Sequence, residues 1–421
     1  MKKRIAAAAA GAVVLALGLA ACSGTSSSGT GGKVELSVWT GFTGGDRPGY
    51  AQIVKNFNAS HPDIHVTMTV QPWDTIGQKL PSAWLTGQGP DIAAPSPDPN
   101  AIAQYVKTNS VLPITLTGDG DSKINVDKLA PGTVKEFTYG GKLYAIPANF
   151  ASLSLYYNKK MFAAAGIDGP PTTVAEFADD AKKLTIDGGT TQSGLVLADN
   201  QTIQMWPILQ WLEGGDIVDS NNCSAVQTAA SQKGLKIWGD LVAKDGISPV
   251  GLTGAQADSL FSAGKAAMEI NGPWAAPGYK SAGIDLGIAA VPTGVDGAVT
   301  LGAIAPLAIS AKTKHPQEAQ EFLAYWTSKS VQKTFSTTTG FPPLRTDLAD
   351  DATLKADPVV SVFAAQVPDA RLYLPKVPNA TQVDSDAYTT MIGQITRGTD
   401  VATATATAQA AINKLTGCTT K

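Results

Sequence analysis

The sequence predicts an α/β protein of two lobes, and three observations carry that prediction. Its 421 residues exceed what one ordinary core holds, so two domains are expected. Apolar residues at period two (Val34, Leu36, Val38; then Ile64, Val66, Met68, Val70) alternate with apolar residues at helical spacing (Tyr50, Ile53, Val54, Phe57). The links between these stretches are short, which implies parallel strands joined by right-handed crossovers. In such a sheet the loops after Val38, Val70 and Ala94 open on one edge, where α/β folds hold their ligands.

Composition narrows the class. Apolar residues make up 43% of the chain and charged residues 16%, the balance of a globular protein. Residues 1–21 read as a secretion leader, with Lys2-Lys3-Arg4 as the positive start and residues 5–19 as the apolar stretch. Three of the 32 basic residues and no acid lie in this leader, which leaves 29 basic against 35 acidic residues, a net charge of −6. No Lys/Arg run lies outside it, which argues against nucleic acid as a partner. The leader ends in Leu19-Ala20-Ala21-Cys22, which resembles the lipobox of bacterial lipoproteins and implies lipidation of Cys22. A transmembrane anchor is the rival, but the apolar run is alanine-rich and short for a span. Residues 22–32, rich in Ser, Gly and Thr, read as a flexible tether.

The fold starts at Lys33. A strand over residues 34–39 runs into the Gly-rich loop Thr40-Gly41-Phe42-Thr43-Gly44-Gly45, which brings backbone close to whatever it faces. The helix of Tyr50 to Phe57 and the strand of residues 64–70 follow. Ile76, Leu80 and Trp84 mark a second helix despite Pro81, and residues 92–94 form a third strand. Residues 139–147 predict a hairpin that leads into a strand, and residues 153–157 another strand. Val174, Phe177, Ala178, Ala181 and Leu184 line an amphipathic helix, and residues 194–197 a strand. The apolar helix of residues 205–212 stops at Gly214-Gly215. Leu235, Trp238, Leu241 and Val242 line a further helix. Residues 268–270 read as a buried strand, and the turn Asn271-Gly272-Pro273 places Trp274 in a first helical turn just past its end. A strand over 286–291, a small apolar run over 300–309 that reads as a second crossing between lobes, and a helix faced by Ala319, Phe322, Leu323 and Trp326 complete the pattern. The remainder reads as helices and turns. Trp84, Trp238 and Trp326, on apolar helix faces, belong to the core.

The chain has three cysteines, Cys22, Cys223 and Cys418, and three histidines. No Cys-x-x-Cys, His-Glu-x-x-His or Gly-x-Ser-x-Gly spacing occurs, so neither a metal, a cofactor nor a catalytic nucleophile is signalled. Outside the cytoplasm Cys223 and Cys418 are candidates for a disulfide, with two independent thiols as the alternative.

Gly264-Lys265-Ala266-Ala267-Met268-Glu269-Ile270-Asn271-Gly272-Pro273-Trp274 resembles a signature of the family 1 extracellular solute-binding proteins. These are the maltose-binding-protein-like receptors of ATP-driven sugar importers. Four further matches follow the family order: the opening strand, Gly87-Gln88-Gly89-Pro90-Asp91-Ile92, Ser154-Leu155-Tyr156-Tyr157-Asn158-Lys159, and Trp206-Pro207 before Gly214-Gly215. The resemblance implies a periplasmic-binding-protein-like type II fold. Two α/β lobes, residues 33–149 with 303–349 and residues 150–302 with 350–421, would join through a two- to three-strand hinge and close on a ligand between them. It implies a monomer that hands a sugar to the transmembrane subunits of an ABC permease, and no enzyme.

Stacking aromatics with a few polar groups suit a sugar, whose C–H faces are apolar and whose hydroxyls hydrogen-bond. The candidates lie at strand ends: Trp39, Phe42, Thr43, Trp73, Asp74, Ser96, Asp98, Asn149, Phe150, Trp206, Trp274 and Arg371. Resemblance to the maltodextrin-binding members matches Asp98 to an acidic sugar contact and Trp274 to a stacking indole. Pro95, Ala151, Gln201, Ile203 and the polar run 381–385 depart from those members, so a maltodextrin specificity is not implied. Two rivals stay open. A polyamine or glycerophosphodiester receptor would need convergent acids or a phosphate nest, and a secreted glycosidase would need two carboxylates flanking one bond.

Overall fold

The computed structural model describes residues 32–96, 100–120, 122–201 and 205–419. The expected leader, Cys22 and Asp98 lie outside the described residues, as does the side chain of Asp74.

Among the described residues twelve strands form in chain order: β1 (Val34–Thr40), β2 (Ile64–Val70), β3 (Ile92–Ala93), β4 (Thr138–Tyr139), β5 (Lys142–Leu143), β6 (Ala145–Ser152), β7 (Ser154–Asn158), β8 (Ser193–Val196), β9 (Ala266–Asn271), β10 (Leu286–Ala289), β11 (Thr300–Ile309) and β12 (Ala370–Leu372). The first sheet has the order β12-β11-β3-β1-β2, with β6 also on β11. β1 pairs in parallel with β2, from Val34 opposite Ile64 to Thr40 opposite Val70, and with β3 on its other side. These are the crossovers the alternating pattern predicts. The second sheet has the order β10-β7-β9-β8, and β4 and β5 form the expected hairpin.

Each helix follows from its apolar face. The helix Arg47–Ser60 buries Tyr50, Ile53, Val54 and Phe57 against the first sheet. The helix Trp73–Thr86 continues through Pro81, which costs roughly 3 kcal/mol in a helix interior. Ile76, Leu80 and Trp84 are fully buried on its face. At about 1.5–3 kcal/mol for each large apolar side chain, that burial outweighs the proline. The helix Val174–Lys183 opens with a capping box between Thr173 and Glu176.

Two main cores result. Leu36, Phe57, Phe322 and Trp326 belong to one, and Phe177, Leu209, Trp238 and Ile392 to the other. Two strands bridge them. β6 passes into β7 through Leu153, whose N–H donates to the Leu301 carbonyl in β11 at 3.0 Å, an ordinary ladder distance. β11 itself runs from β12 through β6 to β3. β12 has no counterpart in the sequence reading, because Ala370-Arg371-Leu372 is too short to show a period. Far from these crossings, Cys223 and Cys418 form a disulfide with Cα atoms 5.2 Å apart, closing a separation of 195 residues. Among the described residues no helix is long and apolar enough to cross a membrane.

Candidate functional site

A cavity of about 270 Å³ lies between the two cores, with walls from both. The Gly-rich loop after β1 supplies Gly41, Phe42, Thr43 and Gly44, and the start of the next helix supplies Asp46. Trp73 opens the following helix. From the other side come Asp258 on the helix Gly254–Ser262, Glu269 and Asn271 on β9, and Trp274 in the short turn of helix Pro273–Ala275. Asn149 on β6 and Ala303 and Ala305 on β11 form the floor, where the strands cross.

Two glycines set the indoles. The ring of Trp73 lies so close over Gly41 that a Cβ there would stand 2.0–2.3 Å from it, and the ring of Trp274 covers Gly272 at 2.2–2.5 Å. A side chain at either position would displace the ring. The aromatics then continue inward. Trp73 meets Phe42 edge-on at 5.6 Å, Phe42 stacks on Tyr50 at 3.8 Å, and Trp274 meets Phe341 at 6.2 Å between ring centroids. Trp274 is half-buried and packs against cores of both lobes.

The polar lining is acidic. Asp46 sits at the N-terminus of its helix, where the dipole favours a carboxylate. Burial wins, raising its pKa to about 7 against the pull of its own backbone N–H and the Tyr50 hydroxyl. Its Oδ1 is buried without a hydrogen-bond partner. Asn149 donates its amide N–H to the Tyr50 hydroxyl. Glu269 stands in a strand otherwise made of Ala, Met, Ile and Asn, with 1% of its surface exposed. Burial, followed by the charge of Asp258, pushes its carboxyl well above the usual range. The contact between the two side chains adds to this, favouring the protonated form of Glu269 with Asp258 as the acceptor. Tyr279 donates to Glu269. Asn271 donates to Asp258 and to Tyr279, both at 2.8 Å.

Of the sequence-predicted residues, Phe42, Thr43, Trp73, Asn149 and Trp274 line this cavity. Five others do not. Trp206 is fully buried and donates its indole N–H to the Ala198 carbonyl at 2.9 Å; it is a core residue, and its neighbour Met205 reaches the cavity instead. Arg371 is exposed on β12, its guanidinium 5.9 Å from the ring centre of Trp211. Trp39 and Phe150 are half-buried in the cluster of Ile76, Trp84 and Ile304, and Ser96 is half-buried after β3. Strand ends point along a whole edge, and sequence alone does not separate the part that faces the other lobe. Asp46, Asp258 and Glu269 escaped the sequence reading, although a carboxylate inside the apolar run of β9 was a visible signal. Asp91 accepts from the Ser37 backbone and hydroxyl at 2.8 Å and from Thr313 at 2.7 Å, a structural role rather than a ligand contact. Among the described residues no group of His, Cys, Asp and Glu could hold a metal ion.

Residues 52–361 match the family described as bacterial extracellular solute-binding protein. The chain is similar to a binding protein of Brucella abortus (strain 2308), 26% identical over 368 residues, 85% of this chain and 87% of the relative. It is similar to the maltotriose-binding protein of Pyrococcus abyssi (strain GE5 / Orsay), 25% identical over 356 residues, 82% of this chain and 74% of that protein. Its fold resembles an ABC transporter solute-binding protein of Thermotoga lettingae TMO bound with α-D-tagatose, with a TM-score of 0.81 and 23% identity over 91% of this chain and 100% of that one. The two lobes, the sheets that cross between them and these matches make the chain a member of the bacterial extracellular solute-binding protein family, an ABC-type substrate-binding protein of the maltose-binding-protein-like fold.

Proposed function

We propose that the protein captures a sugar outside the membrane and delivers it to the permease of an ABC importer, held at the outer face of the cell membrane by a lipid on Cys22. One observation carries this reading: two indoles, Trp73 and Trp274, face one cavity from opposite lobes. Sugar C–H faces stack on such rings, and the asparagines and carboxylates between them suit hydroxyls. The cavity, about 270 Å³, is just below the roughly 300 Å³ lower end for ligand pockets, which favours a ligand of one or two rings. The maltotriose-binding relative supports the sugar class. The lobes close by bending where β6 and β11 cross, so residues 33–149 with 303–349 move against residues 150–302 with 350–421.

Two of the rivals fit less well. A glycosidase needs carboxyl groups about 5–9.5 Å apart across a bond, whereas Asp258 and Glu269 hydrogen-bond each other. A glycerophosphodiester needs a cationic partner, and among the described residues no lysine or arginine lines the cavity.

Trp274→Ala tests the reading. Loss of a stacked contact of about 1–3 kcal/mol weakens sugar binding roughly 5- to 150-fold in a calorimetric titration. The sugar is chosen beforehand by a thermal-shift screen, since a ligand held only by the folded state raises the melting temperature. Wild-type affinity alongside a lowered melting temperature would assign Trp274 to the core alone and refute the platform.

A further inference from the structure

Three carboxyl groups line the cavity and, among the described residues, no lysine, arginine or histidine does. A sugar hydroxyl both donates and accepts, so a site built for neutral hydroxyls offers both kinds of partner. The asparagines of this one have little donor capacity to spare. Asn271 has given its amide N–H to Asp258 and Tyr279, and Asn149 has given one to Tyr50. Acceptors are in surplus. Asp46 lines the cavity, is 5% exposed, and its Oδ1 is buried with no hydrogen-bond partner. Leaving such an atom unpaired is costly, so a ligand group that completes it gains accordingly. An ammonium group brings three donors and no acceptor.

We infer that the cavity seats a protonated amine of its ligand against Asp46 and the Asp258–Glu269 pair, and that the ligand is an amino sugar. The inference rests on the reading of the site as a sugar receptor and adds the charge of the sugar to it. The rings serve both parts of such a ligand: indole faces take the C–H face of the sugar, and aromatic faces attract a cation.

The titration of the walls agrees. Asp46 is faced by Tyr50 on its own helix and, through Tyr50, by Asn149 on β6. Asp258 and Glu269 face each other, with Tyr279 and Tyr156 beside them. Burial holds Asp46 and Glu269 toward their neutral forms in the empty site. An arriving cation favours the ionised forms, so binding releases protons near neutral pH and tightens as pH rises through about 7.

The experiment is a calorimetric titration of the full chain with a panel of glucosamine, galactosamine and a glucosamine disaccharide, their N-acetylated and hydroxyl counterparts, and spermidine. The expected result is that an amine-bearing sugar binds about tenfold or more tighter than its neutral counterparts, a preference abolished in Asp46→Asn. Should that variant fold poorly, the wild type still decides: titrations in two buffers of different ionisation heat read the protons released on binding. Equal or tighter binding of the neutral sugars overturns the inference and leaves the sugar receptor standing. Spermidine bound with no sugar bound overturns both. Binding of no member of the panel overturns the inference, and a neutral-sugar thermal-shift screen then judges the receptor reading by itself.

Discussion

Asp46 is a carboxyl group that the folded protein holds against its preference to ionise. Its pKa rises from 3.8 to about 7 because burial strips its water, and the Tyr50 hydroxyl recovers only part of that loss. A raised folded-state pKa favours the fold below the unfolded value and is lost as pH climbs through the folded one. The empty protein therefore sheds roughly 4 kcal/mol from this residue between about pH 4 and pH 7 and above. Asp46→Asn removes the titrating group. Urea denaturation at about pH 4.5 and pH 8 should show the variant gaining on the wild type as pH rises, and parallel profiles for the two would refute the account. Carboxylates held low by cations, such as Asp347 beside Arg345, act in the opposite sense and lose their contribution in acid. They are common to both proteins and cancel in the difference.

At the scale of elements, β1 and β2 were legible because each side chain alternates between two faces, and the helix Arg47–Ser60 because Tyr50, Ile53, Val54 and Phe57 repeat at helical spacing. β12 was not legible: three residues carry no period, and it exists because β11 extends beyond β6 and offers an edge. The lining of the candidate site was legible in half. Phe42, Trp73 and Trp274 follow strands whose ends could be read, and Trp274 sits on a turn that Gly-Pro announces. The acids were not, because their meaning is a matter of assembly. Asp258 reads as an exposed polar residue on its helix until β9 brings Glu269 beside it. Trp206 erred in the other direction. An aromatic near a motif looked like a contact, and the all-buried helix Met205–Trp211 turned it inward.

For the molecule as a whole, the two lobes meet where the Gly-rich loop touches the turn after β9. A Cβ on Gly45 would stand 2.8 Å from the backbone nitrogen of Gly278 and 3.1 Å from the carbonyl oxygen of Trp274. Backbone cannot step aside as a side chain can, so Gly45→Val wedges the lobes apart while leaving both cores intact. Overpacking costs about 1–3 kcal/mol, which converts to a loss of roughly 5- to 150-fold in affinity for any ligand that needs both walls. Small-angle scattering should show a larger radius of gyration for the unliganded variant than for the wild type. An unchanged radius with unchanged affinity would mean that this contact does not set the approach of the lobes.

The distribution of the eight tryptophans has an optical consequence. Trp84, Trp206, Trp238 and Trp326 have no exposed surface, so their emission forms a constant blue background. Trp73 and Trp274 are half-buried on the cavity wall and shed neighbouring water when a ligand covers them. The protein thus carries its own unlabelled reporter. Occupancy should shift the summed emission toward shorter wavelength, Trp274→Ala should remove a large part of that shift, and a titration followed in a cuvette would read binding without a dye.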